Sequence, residues 1–592
     1  MSRIWVAAVT VVGLAVLALW LGLTALETLT GVIIAVVMVV LFYRLALGRA
    51  AQHRNQAAAQ RRRIYLRLKP GPGYANLAEL HLRWSRKAAV LHGKRSRPDL
   101  GGLFTRWRTP ATQYAVRLGR AQYWTRVWGR LEDNTLILSP PRRGKSGLVA
   151  DEIMNHPGAV LCTSTRADLF DLTAGWRATL GPIEVFNPYG IGNVPSTFGW
   201  NPILGCEDAA TAARRAQAFM GSLTEGDMGF WEDRAAVAMA ALLHAAALAP
   251  AGTVTMTDVY AWANKRGTQK ATEILAAHPG RTSEALAAGL VDVMTDNSKP
   301  GQSIRMTMGK GLSWITIPSI AASVADGAHN VDPATFARRC GTLYLIAPGD
   351  DGSPIAPLFR AFTSFIHQGA ALAGSRMPAR KLDPPMLFAL DEVTQICPVP
   401  LPQWMADSAG KGIRLTVVIH NLGQLEDQWS ATGARVVWET AGTKILLPGI
   451  SDKITLETVS FLLGEVTVSR GDRRDNIRIV PPALIRRLPN WRALVVSGNL
   501  SPVVVKFRPA WKRHFSQRVI APPILTDDAA AVTTMAAPLT VIAERVNETP
   551  QASEEAVAYV PAVEPPPPIP VNDIDLDDTD PVPIRPPVVR KQ

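Results

Sequence analysis

One stretch constrains the fold more than any other: "NTLILSPPRRGKSGLVADEIM", from Asn134 to Met154. An apolar run, Thr135 to Leu138, gives way to Ser-Pro-Pro-Arg-Arg, then to Gly-Lys-Ser, then to a helical pattern. Strand, loop and helix in that order let backbone N–H groups and a helix N-terminus hold phosphate oxygens. The loop pattern asks for Gly-x-x-x-x-Gly-Lys-Ser/Thr, and Ser139 stands at its first glycine. Serine is small enough for that turn as long as its φ stays negative. The expected nucleotide-binding residues are Ser139, Pro140, Pro141, Arg142, Arg143, Gly144, Lys145, Ser146 and Gly147. Lys145 would neutralise the β/γ oxygens of ATP, and Ser146 would ligate Mg2+.

A second stretch belongs with the first. "PPMLFALDEV", Pro384 to Val393, contains an unbroken apolar run, Met386 to Leu390, as in a strand buried on both faces. It ends in Asp391-Glu392. An acidic pair at such a tip suits a Mg2+ shell held by Asp391 and an attacking water polarised by Glu392. Further apolar runs occur in "GAVLCTST", "PIEVFNP", "GTLYLIAP", "RLTVVIHN", "TKILLPG", "ALVVSGN" and "PVVVKF". Helical patterns lie between several of them. This alternation predicts an α/β fold with a mostly parallel sheet covered by helices. Both motifs fall at strand C-termini, where such sheets bind nucleotide. The expected core is a RecA-like P-loop NTPase with an inserted all-α domain. That insert, from Glu207 to about Pro300, is Ala-rich, and its "FWEDRAAVAMAALLHAAALA" is apolar nearly all round, as a buried helix is.

The ends of the chain differ from its middle. Ile4 to Leu26 carries no charge, and "GVIIAVVMVVLFYRLALG" follows after a short link. Each run is long enough to cross a bilayer as a helix. A cleaved signal peptide fits less well, since the first run is long for one and a second follows at once. The link holds only Glu27, whereas Arg49, Arg54, Arg61, Arg62, Arg63, Arg67 and Lys69 come after the second run. Positive residues stay inside, so a multi-pass protein of the cytoplasmic (inner) membrane is expected, with body and both termini cytoplasmic. The basic stretch continues to Arg130 with interleaved aromatics: "HLRWSRK", "FTRWR", "QYWTRVWGR". Its first part suits an anionic leaflet; its later part suits either lipid or nucleic-acid phosphates. Net charge is +14, yet Ala521–Gln592 holds 12 acidic and 4 basic residues, so the body is more basic than the whole. A polyanionic partner follows from that imbalance. The Pro-rich acidic tail is expected to be disordered, either as a docking arm or as an inert solubilising segment. Cys162, Cys206, Cys340 and Cys397 form no metal-type pair.

The ordered blocks of this sequence resemble the TraG/TraD family of type IV secretion coupling proteins. Two apolar runs and the loop at Ser139–Ser146 are followed by "FDLTAGWRATLGPIEVFNPYG", "WNPI", and "GFW" before the long helix. "GTLYLIAPGDD", "LFALDE", "GKGIRLTVVIHNLGQLEDQW" and "TKILLPGISDKITLETVSFLLGE" complete the series. The resemblance covers roughly residues 1 to 510. It implies a membrane-anchored homo-hexameric ATPase that uses ATP and Mg2+ to move single-stranded DNA into a conjugation channel. Its implied partners are a relaxase, accessory relaxosome proteins and the type IV secretion channel proteins. It also implies catalytic roles for Lys145 and Glu392, with metal ligation by Ser146 and Asp391. The family usually has Gln-Ser after the strand that follows the acidic pair, and that Gln senses the γ-phosphate; here the pair is His420-Asn421. The family's Asp-x-Lys-Gly-Glu is replaced by Ser164-Thr165-Arg166-Ala167-Asp168. Arg414 and Lys411 lie where an arginine finger is sought, without a clean match. The expected division is a transmembrane hairpin at 1–48, then a basic juxtamembrane segment and start of the core at 49–130. The nucleotide-binding domain follows in two parts, 131–205 and 306–515, around an all-α domain at 206–305, with a disordered tail at 516–592. An FtsK-like double-stranded DNA motor, a protein-export ATPase and a degenerate non-catalytic scaffold remain open as alternatives.

Overall fold

The computed structural model describes residues 72–221, 227–325, 331–349, 353–470 and 473–512. The two apolar runs before residue 49 and the acidic tail lie outside the described residues. Among the described residues no helix is long and apolar enough to cross a membrane.

Thirteen strands are described. In chain order they are β1 (Ala115–Arg120), β2 (Arg126–Arg130), β3 (Thr135–Leu138), β4 (Val160–Ser164), β5 (Ile183–Phe186), β6 (Thr342–Ile346) and β7 (Met386–Leu390). Then come β8 (Ile413–Ile419), β9 (Thr443–Leu446), β10 (Glu465–Arg470), β11 (Arg473–Arg478), β12 (Arg492–Ser497) and β13 (Val503–Lys506). Eleven of them form one sheet in the order β2-β1-β13-β12-β9-β3-β8-β7-β4-β6-β5; β10 and β11 make a separate hairpin. The seven strands from β9 to β5 run parallel. The other four extend the sheet antiparallel. Every residue of β3, β4, β6, β7 and β8 is buried. These are the unbroken apolar runs of the sequence, and a strand covered on both faces needs apolar residues at every position. Within β3, Leu136 and Leu138 enter one core layer and Ile137 the other, as the pleat's two-residue period requires.

One face is covered by α1 (Lys145–Asn155) and α2 (Asp168–Arg177), whose Leu148, Val149, Ile153, Leu169 and Phe170 pack with Ile137, Val160 and Val418. Between β5 and β6 the described elements are helical, from Ala209 to Arg338. Their centre is α3 (Asp227–Leu248), with Ala235, Met239, Leu242, Leu243 and Ala245 buried on successive turns. Its nearly all-round apolar pattern has this cause: neighbouring helices surround it.

The basic stretch before Arg130 is partly core. Trp84, Tyr114 and Trp128 are buried, and Arg106 is buried with Nε donating to the Val90 carbonyl. Trp107 and Trp124 remain exposed, at 47% and 80%. The interleaved aromatics therefore divide between packing and surface, and only the second group is free to meet a phosphate or a lipid.

Candidate nucleotide site

The register places three chain turns side by side. Leu138 pairs with Ile419, and Leu390 with Val417. β8 lies between β3 and β7. The residues just beyond these strands, Ser139, Asp391 and His420, therefore emerge at one edge of the sheet.

After β3 the loop turns through Ser139, whose N–H donates to the Ile419 carbonyl at 3.0 Å and whose Oγ donates to the Pro140 carbonyl at 3.0 Å. Ser139 is fully buried and is not among the positive-φ residues, so serine serves where the motif has glycine. Arg142 does take a left-handed φ of 61°, which costs a non-glycine residue energy. Arg142 faces the cleft, while Arg143 lies against Gly449 in the turn after β9. Gly144, at φ 87°, caps α1. A β-carbon there would also lie 2.8 Å from the Trp491 ring. Glycine is thus required twice over.

Lys145 opens α1 and reaches across to the acidic pair. Its Nζ contacts Glu392 Oε1 and stands 3.3 Å from Asp391 Oδ1, an ion-pair separation without hydrogen-bond alignment. Burial alone would lower the ammonium's pKa; the two carboxylates more than reverse this and hold it above its ordinary value. Asp391 is 4% exposed, and burial pushes its carboxyl up to about 6 against the pull of Lys145. Its backbone carbonyl accepts from Thr163 Oγ1 at 2.9 Å, tying β7 to β4. Glu392 sits in the left-handed region, φ 53° and ψ 41°, a conformation of the kind that clusters at functional sites. His420 Nδ1 lies 2.8 Å from the Ser139 carbonyl, and its Nε2 lies 3.5 Å from Glu392 Oε1. One imidazole thus spans from the loop to the acidic pair.

These groups line a cleft of about 720 Å³, together with Pro141, Gly144, Ser146, Ser164, Thr165, Arg166, Asp168 and Trp511. The end of β4, where the family's charged block is replaced, does face the cleft. Pro140, buried Ser139, Arg143 and Gly147 are not part of its lining. Trp511 carries no signal in the sequence, because it belongs to no motif and follows the last strand. Arg414 and Lys411 lie at the opposite edge, beside the start of β8. Arg414 is 2% exposed and fully engaged with Glu152, Thr135 and the carbonyls of Arg130, Leu131 and Asp133. Its guanidinium is thus committed to contacts within its own fold. Lys411 is half-buried and pairs with Asp407 at 2.6 Å.

The chain is similar to known proteins at this site and beyond it. Residues 385–490, from β7 through β11, match the family described as the TraM recognition site of TraD and TraG. Two conjugal transfer proteins TraG of Escherichia coli are 24% identical over 325 residues and 22% identical over 324. Each match takes in 51% of this chain and 50% of the relative, so the chain spans about half the length of the curated relatives it matches. Among solved structures, the plasmid coupling protein TrwB in complex with the non-hydrolysable GTP analogue GDPNP aligns with a TM-score of 0.52 and 18% identity. That alignment covers 64% of this chain and 86% of that one. TrwB in complex with ADP and Mg2+ aligns with a TM-score of 0.50 and 18% identity, over 64% of this chain and 85% of that one. The fold these share is an α/β P-loop NTPase core. The sequence blocks, the matched family segment and the named relatives agree, and the chain is a relative of the TraG/TraD-type coupling proteins of conjugation.

Proposed function

We propose that this protein is a membrane-anchored ATPase that couples ATP hydrolysis to the transfer of single-stranded DNA into a conjugation channel. The observation that carries the reading is the meeting of Lys145, Asp391, Glu392 and His420 at one sheet edge, beside a glycine-capped helix N-terminus. Lys145 is held by the two carboxylates. A triphosphate offers it a stronger anion, and its movement to the β/γ oxygens would free both acids for their own work. Glu392 would then orient the attacking water. Ser146 and Asp391 would hold Mg2+, which, when bound, neutralises phosphate charge. The residues fit that ion: Asp391 Oδ1 is buried without a hydrogen-bond partner, and Mg2+ takes only one or two protein oxygens when phosphates and water supply the rest.

Anchoring by the two apolar runs, a homo-hexamer and relaxosome partners belong to the same reading. The matched segment's description makes residues 385–490 the natural place for a relaxosome component to dock. An FtsK-like double-stranded motor or a protein-export ATPase would use the same chemistry on another polymer. A non-catalytic scaffold draws support from Ser139 and His420, where the family pattern is broken.

The test is ATP binding and hydrolysis by the full chain in lipid discs. Lys145→Ala should abolish binding. Glu392→Gln should bind ATP normally and turn it over on the order of 10²-fold more slowly. Parental rates in either variant would sink the assignment, and a parent that binds ATP without hydrolysing it would favour the scaffold.

A further inference from the structure

We infer that Trp511 forms a base-stacking platform for the purine ring of the bound nucleotide; this rests on the nucleotide-site reading above. The argument begins with direction. Lys145 points from the start of α1 toward Asp391 and Glu392, so the terminal phosphate belongs on that side. The α-phosphate and the base must then lie the other way, over the first turn of α1 beyond Ser146. Trp511 stands there. A β-carbon built on Gly147 would lie 2.7 Å from Trp511 Cη2 and Cζ3 and 2.8 Å from Pro509 Cβ. Gly147 is thus the residue that lets an indole rest directly on the helix start.

The ring is held in place. It meets Trp491 edge to face, with centroids 5.7 Å apart at 79°. Trp491 in turn packs edge to face on Phe507, centroids 5.8 Å apart, and lies over Gly144. The Lys512 N–H donates to the Pro509 carbonyl at 3.0 Å, closing a turn that carries the indole. Yet Trp511 remains 36% exposed and lines the cleft beside Arg142, Gly144 and Ser146. A tryptophan held by packing against Trp491 and the start of α1, yet partly exposed in the cleft of a phosphate-binding loop, has the features of a stacking surface. Ring stacking is tolerant of base identity, so both purines should be accepted and pyrimidines held less well.

The experiment measures affinities of the full chain in lipid discs for ATP, GTP, CTP and inorganic tripolyphosphate. The parent, Trp511→Phe, Trp511→Ala and Lys145→Ala are compared. Trp511→Ala should weaken ATP and GTP by about tenfold or more, the range of a base–aromatic stack, and leave tripolyphosphate unchanged. Trp511→Phe should retain most of the affinity, and the parent should prefer ATP over CTP. Equal weakening of ATP and tripolyphosphate would make Trp511 only a support for the loop and overturn the proposal, as would unchanged ATP affinity. The parent's preference for ATP over CTP is read without any substitution, so a poorly folded variant does not shield the idea. If Lys145→Ala binds tripolyphosphate as the parent does, the nucleotide-site reading itself fails, and the stacking proposal falls with it.

Discussion

At the scale of single residues, His420 shows what geometry adds to a motif. A carbonyl oxygen only accepts, so the 2.8 Å contact with Ser139 places a proton on Nδ1. In the neutral ring Nε2 is then a bare acceptor facing Glu392. The imidazole donates from both nitrogens only when it is charged. A glutamine amide carries two N–H bonds and has no such restriction. His420→Gln should therefore hydrolyse ATP within about tenfold of the parent, while His420→Ala, which loses both the tie to Ser139 and the donor, should fall on the order of 10²-fold. Steady-state turnover of the three proteins decides it. Equal rates would make His420 a packed residue at a strand end. The pattern break at this position is readable in the sequence, but the tautomer is not, because the Ser139 carbonyl lies 281 residues away along the chain.

At the scale of elements, Arg414 is among the most heavily bonded of the described side chains. Its guanidinium joins β8 to Glu152 of α1 at 2.8 Å, to Thr135 of β3 at 2.7 Å and to the turn before β3. It holds the helix that carries the loop against the strand that carries His420. Arg414→Met would leave Glu152 half-buried without its cation, and breaking such a pair costs about 3–5 kcal/mol. Thermal unfolding of the parent, Arg414→Met, Glu152→Gln and the double variant should show a large loss in the first and partial recovery in the last. An unchanged melting temperature with reduced turnover would instead mark Arg414 as a group acting on a neighbour's nucleotide. The family resemblance puts Arg414 and Lys411 in the region of such a finger, without a clean match; what the resemblance lacks is that β8 runs through the middle of the sheet, so that its first residues lie far from its last. The parallel strands are legible because burial on both faces writes an unbroken apolar run. β1 and β2 are not, because "AVRLGR" and "RVWGR" alternate arginine with apolar residues, and the charge points toward a surface collar. The hairpin β10–β11 is hidden in the same way, behind the charges of "EVTVSRGDRRDNIR".

At the scale of the whole molecule, the question is which polymer the nucleotide cycle moves. The chain carries a net charge of +14 although its last segment is acidic, and the buried share of the basic stretch, Arg97 and Arg106 among it, is already engaged within the fold. The remaining surface cations would meet phosphates without reading bases, so binding should lack sequence preference and weaken steeply with salt. Its slope in log affinity against log salt should be about −0.7 for each single-strand phosphate neutralised. A motor's turnover should rise when the polymer it moves is engaged. ATPase activity of the full chain in lipid discs, with single-stranded, duplex or no DNA at two salt concentrations, separates the readings. A coupling protein should be stimulated by single-stranded DNA at least as well as by duplex, and the stimulation should fade at the higher salt. Stimulation by duplex alone would point to an FtsK-like motor. Hydrolysis indifferent to any DNA would point to protein export. The Lys145→Ala protein provides the internal check: it should still bind DNA with the parent's salt slope while hydrolysing nothing, because the cations that hold the polymer and the cation that holds the triphosphate are different residues.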